Sequence, residues 1–130
     1  MEWYKKFEVG HEKIDLEHKV FFSLVQSAES AVATSENREK IRRILTELVK
    51  YAEFHFISEE NLMIDISYPD FESHHEHHNQ LMKQLNHYIV KFEVGEDNIQ
   101  ELIDFLYDWF VKHTTHEDLM LSRYIKKMDG

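Results

Sequence analysis

Apolar residues recur every three to four positions over four long stretches, and the polar breaks between them are short. Phe21, Phe22, Val25 and Ala28 mark a first helix over about residues 14–33. Ile41, Ile44, Leu45, Leu48, Val49, Ala52 and Phe56 mark a second over about 38–65, after the turn signal at residues 34–37. Ser67, Tyr68, Pro69 and Asp70 end it, and Pro69 is expected to open a third helix over about 69–93, carrying Phe71, Leu81, Met82, Leu85 and Ile89. Gly95 closes that helix. Asp97 with Gln100 reads as a capping box for a fourth, over about 97–116, with Ile99, Leu102, Ile103, Leu106, Trp109 and Phe110 on its apolar face. A short C-terminal helix is expected over about 118–128. Ahead of them all, residues 1–13 form an arm with Trp3, Tyr4, Phe7 and Val9. The predicted fold is all-α: one domain, an up-down-up-down four-helix bundle with an N-terminal arm.

Extending each apolar stripe by sevens exposes an anomaly. His18 shares a column with Val25 and Val32, and His55 shares one with Ile41, Leu48 and Leu62. Glu59 falls in line with Leu45 and Ala52, His78 with Phe71, Leu85 and Phe92. His74 aligns with Leu81 and Tyr88, and His113 with Ile99 and Leu106. Five histidines and one glutamate thus point into the core, from all four helices. A buried imidazole or carboxylate is costly without a partner. A lone one finds a local hydrogen bond, whereas six that converge call for a shared partner, and a metal is the economical one. The spacing agrees: His55 and Glu59, and His74 and His78, are i,i+4 pairs, each able to chelate from one helix face.

Composition narrows the alternatives. Ten of 130 residues are histidine. The absence of cysteine removes disulfides, thiolate zinc sites and cysteine nucleophiles. A formal charge of −10 disfavours nucleic acid and anionic membranes. No apolar run approaches a membrane span, and residues 1–6 lack the apolar stretch of a secretory leader, so a soluble cytoplasmic protein is expected.

Several stretches together resemble the hemerythrin family, in particular its bacterial single-domain members. They are Ile14-Asp15-Leu16-Glu17-His18; His55-Phe56-Ile57-Ser58-Glu59-Glu60; Tyr68-Pro69 with His74 and His78; and Trp109-Phe110-Val111-Lys112-His113 with Asp118. The resemblance spans essentially the whole chain, Trp3 included. It implies a cofactor of two non-haem iron ions joined by an oxo or hydroxo bridge. One iron would take His74, His78 and His113, the other His18 and His55, with Glu59 and Asp118 bridging both. It implies reversible binding of dioxygen at the iron with fewer histidines, and no catalytic turnover. Two carboxylates and a hydroxide would nearly neutralise two iron(II) ions. Di-iron bundles that activate oxygen instead use a carboxylate-rich set with paired Glu-x-x-His motifs, and no inward-facing pair of those is present. Two rival readings share the same residues: a di-iron enzyme or sensor handling peroxide, nitric oxide or iron, and a structural metal bundle holding zinc. No oxygen-consuming protein partner is identified by these residues.

Asp118 is the awkward member. Five residues after His113, on a regular α-helix, it would lie roughly 140° off that face. Either the helix deforms, which Thr114-Thr115 would favour and family precedent supports, or His116 or Glu117 serves instead. An oxygen pocket is expected from Phe21, Phe56, Trp109 and Phe110, one turn or less from the ligands, and Thr114, where the family commonly has an apolar residue. Of the other histidines, His77 reads as solvated, His75 as half-exposed on the stripe edge and His116 as surface. His11 and His87 have no assigned role, and Glu60 reads as solvent-facing or in contact with a ligand.

Overall fold

The computed structural model describes residues 3, 5–96 and 98–129. A 3₁₀ turn, Lys5–Phe7, leads into α1 (Glu12–Ala33), α2 (Arg38–Asp65), α3 (Phe71–Glu93) and α4 (Ile99–His113). A five-residue π-helical segment, Thr114–Asp118, connects α4 to α5 (Leu119–Asp129). Helix α1 packs on α2 and α4, and α3 on the same two, so the four long helices close a ring in chain order. Short turns between successive helices make neighbours antiparallel, which is the all-α bundle that the hydrophobic periodicity predicts.

The ends of the helices differ from the sequence expectation in instructive ways. Pro69 does not open α3. It occupies the second position of a turn closed by Phe71 N–H donating to the Tyr68 carbonyl at 3.2 Å, a position for which its fixed φ is suited. The cap of α4 is Asn98, whose side chain accepts from the Glu101 N–H at 3.2 Å. The expected capping residue, Asp97, lies outside the described residues, as does Tyr4 of the arm. His11 acquires a role as the cap of α1, its Nδ1 accepting from the Ile14 N–H at 3.2 Å.

The arm is tied down at both ends. Trp3 sits with its ring centroid 5.5 Å from Phe7 and from Phe22 and 6.0 Å from Phe110. The Asp15 carboxylate accepts from the N–H groups of Val9 and Gly10 at 2.8 and 3.1 Å. Gly10 takes φ +87°, open to glycine at little cost. From α5, the Ser122 hydroxyl donates to the Val9 carbonyl at 2.7 Å. A large apolar core, with Leu48, Leu81, Leu85 and Leu106 fully buried, fills one end of the bundle. A smaller cluster of Val9, Ile14, Met63, Tyr68 and Leu121 closes the other. The polar anomaly lies between them. Among the described residues, no helix is long and apolar enough to cross a membrane.

Candidate metal centre

Each long helix delivers donors to one buried centre. His18 comes from α1, His55 and Glu59 from α2, His74 and His78 from α3, His113 from α4, and Asp118 from the π segment. None of the seven is more than 4% exposed. The two carboxylates are the hubs. Glu59 Oε1 lies 2.6 Å from His74 Nε2 and 3.2 Å from His78 Nε2, while Oε2 lies 3.4 Å from His55 Nε2. Asp118 Oδ1 lies 3.0 Å from His74 Nε2 and 3.1 Å from His113 Nε2, while Oδ2 lies 2.9 Å from His18 Nε2. Each carboxylate therefore turns one oxygen to the set His74, His78, His113 and the other to the pair His18, His55. Two donor groups result, of three and two histidines, sharing both carboxylates.

These residues fit a cation. Both oxygens of Glu59 and of Asp118, and the Nε2 atoms of His74, His78 and His113, are buried with no aligned hydrogen bond among the described residues. Such orphans are rare in folded proteins and costly. Atoms bound at about 2.1 Å from one ion, about 90° to 110° apart, lie roughly 3.0–3.4 Å from each other. Most of the N···O separations fall in or beside that range, so the donors are spaced as ligands of a common ion would be. Imidazole and carboxylate together suit iron, zinc and manganese rather than calcium or copper(I).

The π segment explains how Asp118 arrives. With i→i+5 bonding, a residue five positions on returns roughly over the first, instead of standing far round the helix. Thr114 still caps α4, its N–H reaching the Phe110 and Val111 carbonyls, and the wide turn then carries Asp118 inward to 0% exposure. Of its sequence rivals, His116 has a side chain 71% exposed, and Glu117 faces outward from the hubs.

Further carboxylates hold the imidazole rings from behind. Glu17 Oε1 lies 2.8 Å from His55 Nδ1, and its other oxygen accepts from the Ser58 hydroxyl at 3.1 Å. Glu60 spans His78 Nδ1 at 2.8 Å and His75 Nδ1 at 2.6 Å. Burial pushes both carboxyls up, but the histidine contacts outweigh it and hold each below its ordinary value. Glu60 is thus a contact of a ligand rather than a solvated acid, and half-exposed His75 joins it. His77 is not simply solvated either: its Nε2 lies 3.1 Å from Glu117 Oε1. Glu17 carries no role in the sequence reading. Its one available signal was the one Glu60 shares, an acid next to a ligand on the edge of an apolar stripe. Acceptors behind metal-bound histidines fix ring orientation and raise basicity. Glu17→Gln and Glu60→Gln are each expected to lower metal affinity by about 10- to 100-fold, read by competition with a chelator. Unchanged affinity in both would show that packing alone orients the rings.

Packing also orients the ligands. Phe56 stacks on His78 at 4.0 Å between centroids, and Trp109 on His113 at 4.4 Å. Phe21, Phe56, Trp109, Phe110 and Thr114 line a cavity of about 10 Å³, whose remaining wall is His18, His55, His113 and Asp118. It lies against the side of the centre with two histidines.

A helical ring enclosing five imidazoles and two shared carboxylates defines a bundle of the cation-binding class. The model of the hemerythrin HHE cation binding domain matches residues 9–125, and the chain belongs to the hemerythrin family. It is 32% identical over 122 residues to a bacteriohemerythrin of Clostridium acetobutylicum, covering 89% of this chain and 94% of that protein. It is 36% identical over 117 residues to a myohemerythrin of Theromyzon tessulatum, covering 90% and 87%. A crystal structure of wild-type hemerythrin superposes with a TM-score of 0.88 at 31% identity, covering 95% of each chain.

Proposed function

We propose that this protein binds dioxygen reversibly at two non-haem iron ions. His74, His78 and His113 hold one iron, His18 and His55 the other, and Glu59 and Asp118 bridge them. The observation that carries this reading is the division of the carboxylate oxygens between three histidines and two, with an apolar cavity beside the two. An iron held by His18 and His55 would have one histidine fewer than its neighbour, and the cavity, about the volume that one water needs, lies beside those two residues. The iron pair, when bound, supplies the electrons that hold O₂. The chain's own residues keep it there: Phe21, Phe56, Trp109 and Phe110 exclude the water and protons that promote its loss. Apart from the metal ligands, the Thr114 hydroxyl and the Trp109 ring N–H are the polar side-chain groups on that wall. Neither is a general base, an arrangement suited to holding a small molecule rather than turning it over.

The test is exposure of anaerobic iron(II) protein to air, followed by removal of oxygen. Two irons per chain and an oxo-bridged di-iron absorption that appears and disappears over repeated cycles are expected. Irreversible oxidation on the first exposure, or steady consumption of peroxide or nitric oxide at the same site, would replace the carrier with an enzyme.

Thr114 sets how long oxygen is held. It is 1% exposed and lines the cavity. A threonine in a helix can satisfy its hydroxyl on the carbonyl four residues earlier. Here Thr115 does so, donating to the Val111 carbonyl at 2.6 Å, and among the described residues Thr114 does not. In this reading its hydroxyl is free to offer a proton toward the cavity. Thr114→Val, close in shape, is expected to slow autoxidation several-fold at unchanged iron content. An equal or faster rate would clear the hydroxyl.

A further inference from the structure

Two neighbouring helices leave an apolar face uncovered. Glu17 on α1 lies 2.8 Å from His55 Nδ1 on α2 and accepts from the Ser58 hydroxyl at 3.1 Å. These contacts set α1 against α2, and they bring the sequence neighbours of the three residues side by side. Leu16 and Val20 stand one turn apart on the outer side of α1, and Phe54 and Ile57 one turn apart on the outer side of α2. The four are 62%, 39%, 54% and 61% exposed. The Tyr51 ring, 5.7 Å from that of Phe54, extends the patch. Of the nine large apolar residues exposed among the described ones, four thus gather in one place, whereas α4 exposes none. The exposed parts of the four side chains amount to roughly 400 Å², as much as the largest patch on an ordinary monomer, which is often functional. Glu17, the acid beneath them, is buried and engaged with His55 and Ser58.

We propose that this face is where two copies of the chain pair, α1 and α2 of one against α1 and α2 of the other. A standard interface takes about 800 Å² from each partner, and somewhat over half of that is apolar. The patch supplies about that apolar share, and the polar residues around it supply the remainder. Two-fold pairing asks the same half of each copy, so one patch per chain is enough. Charge is compatible with a second copy. A formal −10 on each chain repels at a distance, but the margin of the patch carries both signs, with Lys13 one turn before Glu17 and Lys50 3.6 Å from Glu53. Pairing therefore brings no block of like charge into contact. The same net charge disfavours an anionic lipid surface as the occupant. A second copy seated here also covers Glu17 and Ser58, which stand behind His55.

The pairing does not depend on which ion the buried centre holds. The test is sedimentation velocity of the full chain, from low micromolar to submillimolar concentration, beside a Leu16→Ser/Phe54→Ser variant. Both side chains are exposed, so the fold should survive their loss, and circular dichroism checks that it does. A monomer–dimer equilibrium is expected for the wild type, with dimer dominant at the upper end. Each substitution counts twice in a two-fold interface, so the dissociation constant of the variant should rise roughly tenfold or more. Val90→Ser/Val94→Ser, which removes exposed apolar residues at the end of α3 instead, should pair as the wild type does. Salt should tighten the dimer by screening the repulsion between two acidic copies. A wild type that stays monomeric at every concentration would overturn the pairing. A dimer equally tight in Leu16→Ser/Phe54→Ser, or lost only in Val90→Ser/Val94→Ser, would overturn the face. A dimer that salt disperses would be held by ion pairs, and that would overturn the apolar contact.

Discussion

Asp118→Ala is expected to drop iron from two ions per chain to fewer than one. The Asp118 oxygens sit within 3.1 Å of His18, His74 and His113, on both sides of the centre. On the proposed assignment, its loss would remove one ligand from each ion and one of the two carboxylate charges that offset them. The affinity loss should therefore exceed the roughly 10- to 100-fold typical of a residue that only orients a ligand. Metal-stripped protein should suffer too, since removing one partner of a buried ion pair costs about 3–5 kcal/mol. Asp118→Asn, which keeps shape but not charge, should fall between. His87→Ala serves as the control, because His87 is exposed on α3. Iron analysis and thermal melts read both effects. A variant retaining two irons and the wild-type spectrum would mean that another side chain supplies the bridge, with Glu117 the nearest alternative.

Why Asp118 was ambiguous in the sequence, while its six companions were not, is a matter of helix geometry. His18, His55, Glu59, His74, His78 and His113 all lie on regular α-helix, where a column of sevens reports the buried face directly. Column arithmetic fails at the first residue beyond a change of helical pitch. The π segment is that change, and two adjacent threonines signal it only weakly. The same turn accounts for His77. Its column on α3 is a solvated one, but the widened turn brings Glu117 across from α4 to meet it. Glu17 escaped, and Glu60 stayed between two readings, for a different reason. Their contacts with His55 and with His75 and His78 cross between helices. They depend on how neighbouring helices are rotated, which no single-helix pattern records. At the termini, Pro69 and Asn98 show how local turn chemistry shifts a boundary by one or two residues without disturbing the register of the core.

Stripped of metal, the protein is expected to lose stability as pH rises, whereas the iron-loaded protein loses it as pH falls. Burial disfavours charge on His74, but Asp118 and Glu59 outweigh it and raise its pKa to about 9. Burial likewise opposes charge on His113, and the same two carboxylates raise it to about 10. Burial would push Glu59 and Asp118 up, and Glu59 also feels the Asp118 charge, yet the facing histidines hold both carboxyls below their ordinary range. For the imidazoles, the folded pKa lies above the unfolded value of about 6.5. Their stabilisation is full below about pH 6.5 and disappears as pH climbs through about 9 to 10. For the carboxylates the sign reverses: their contribution is present above about pH 4 and vanishes as pH drops further. Metal-free protein should therefore be most stable between about pH 4 and 6.5. Because His74 and His113 share the same two carboxylates, their contributions do not add. A loss of about 3 kcal/mol by pH 10 corresponds to a fall in Tm on the order of 10 °C. With iron bound, the five imidazoles must be neutral, so protons compete with the metal, and iron release at about pH 6 and below should remove the part of the stability that the metal supplies, leaving that of the metal-free protein. The two states differ in protons at neutral pH, where His74 and His113 are protonated without metal and unprotonated with it. Loading at pH 7 should thus release about two protons per chain from these imidazoles, and about one more from the water that supplies a hydroxo bridge, measurable with an indicator dye in weak buffer. Release of no more than about one, together with a metal-free Tm that is flat from pH 6.5 to 10, would show that these imidazoles are neutral before metal arrives.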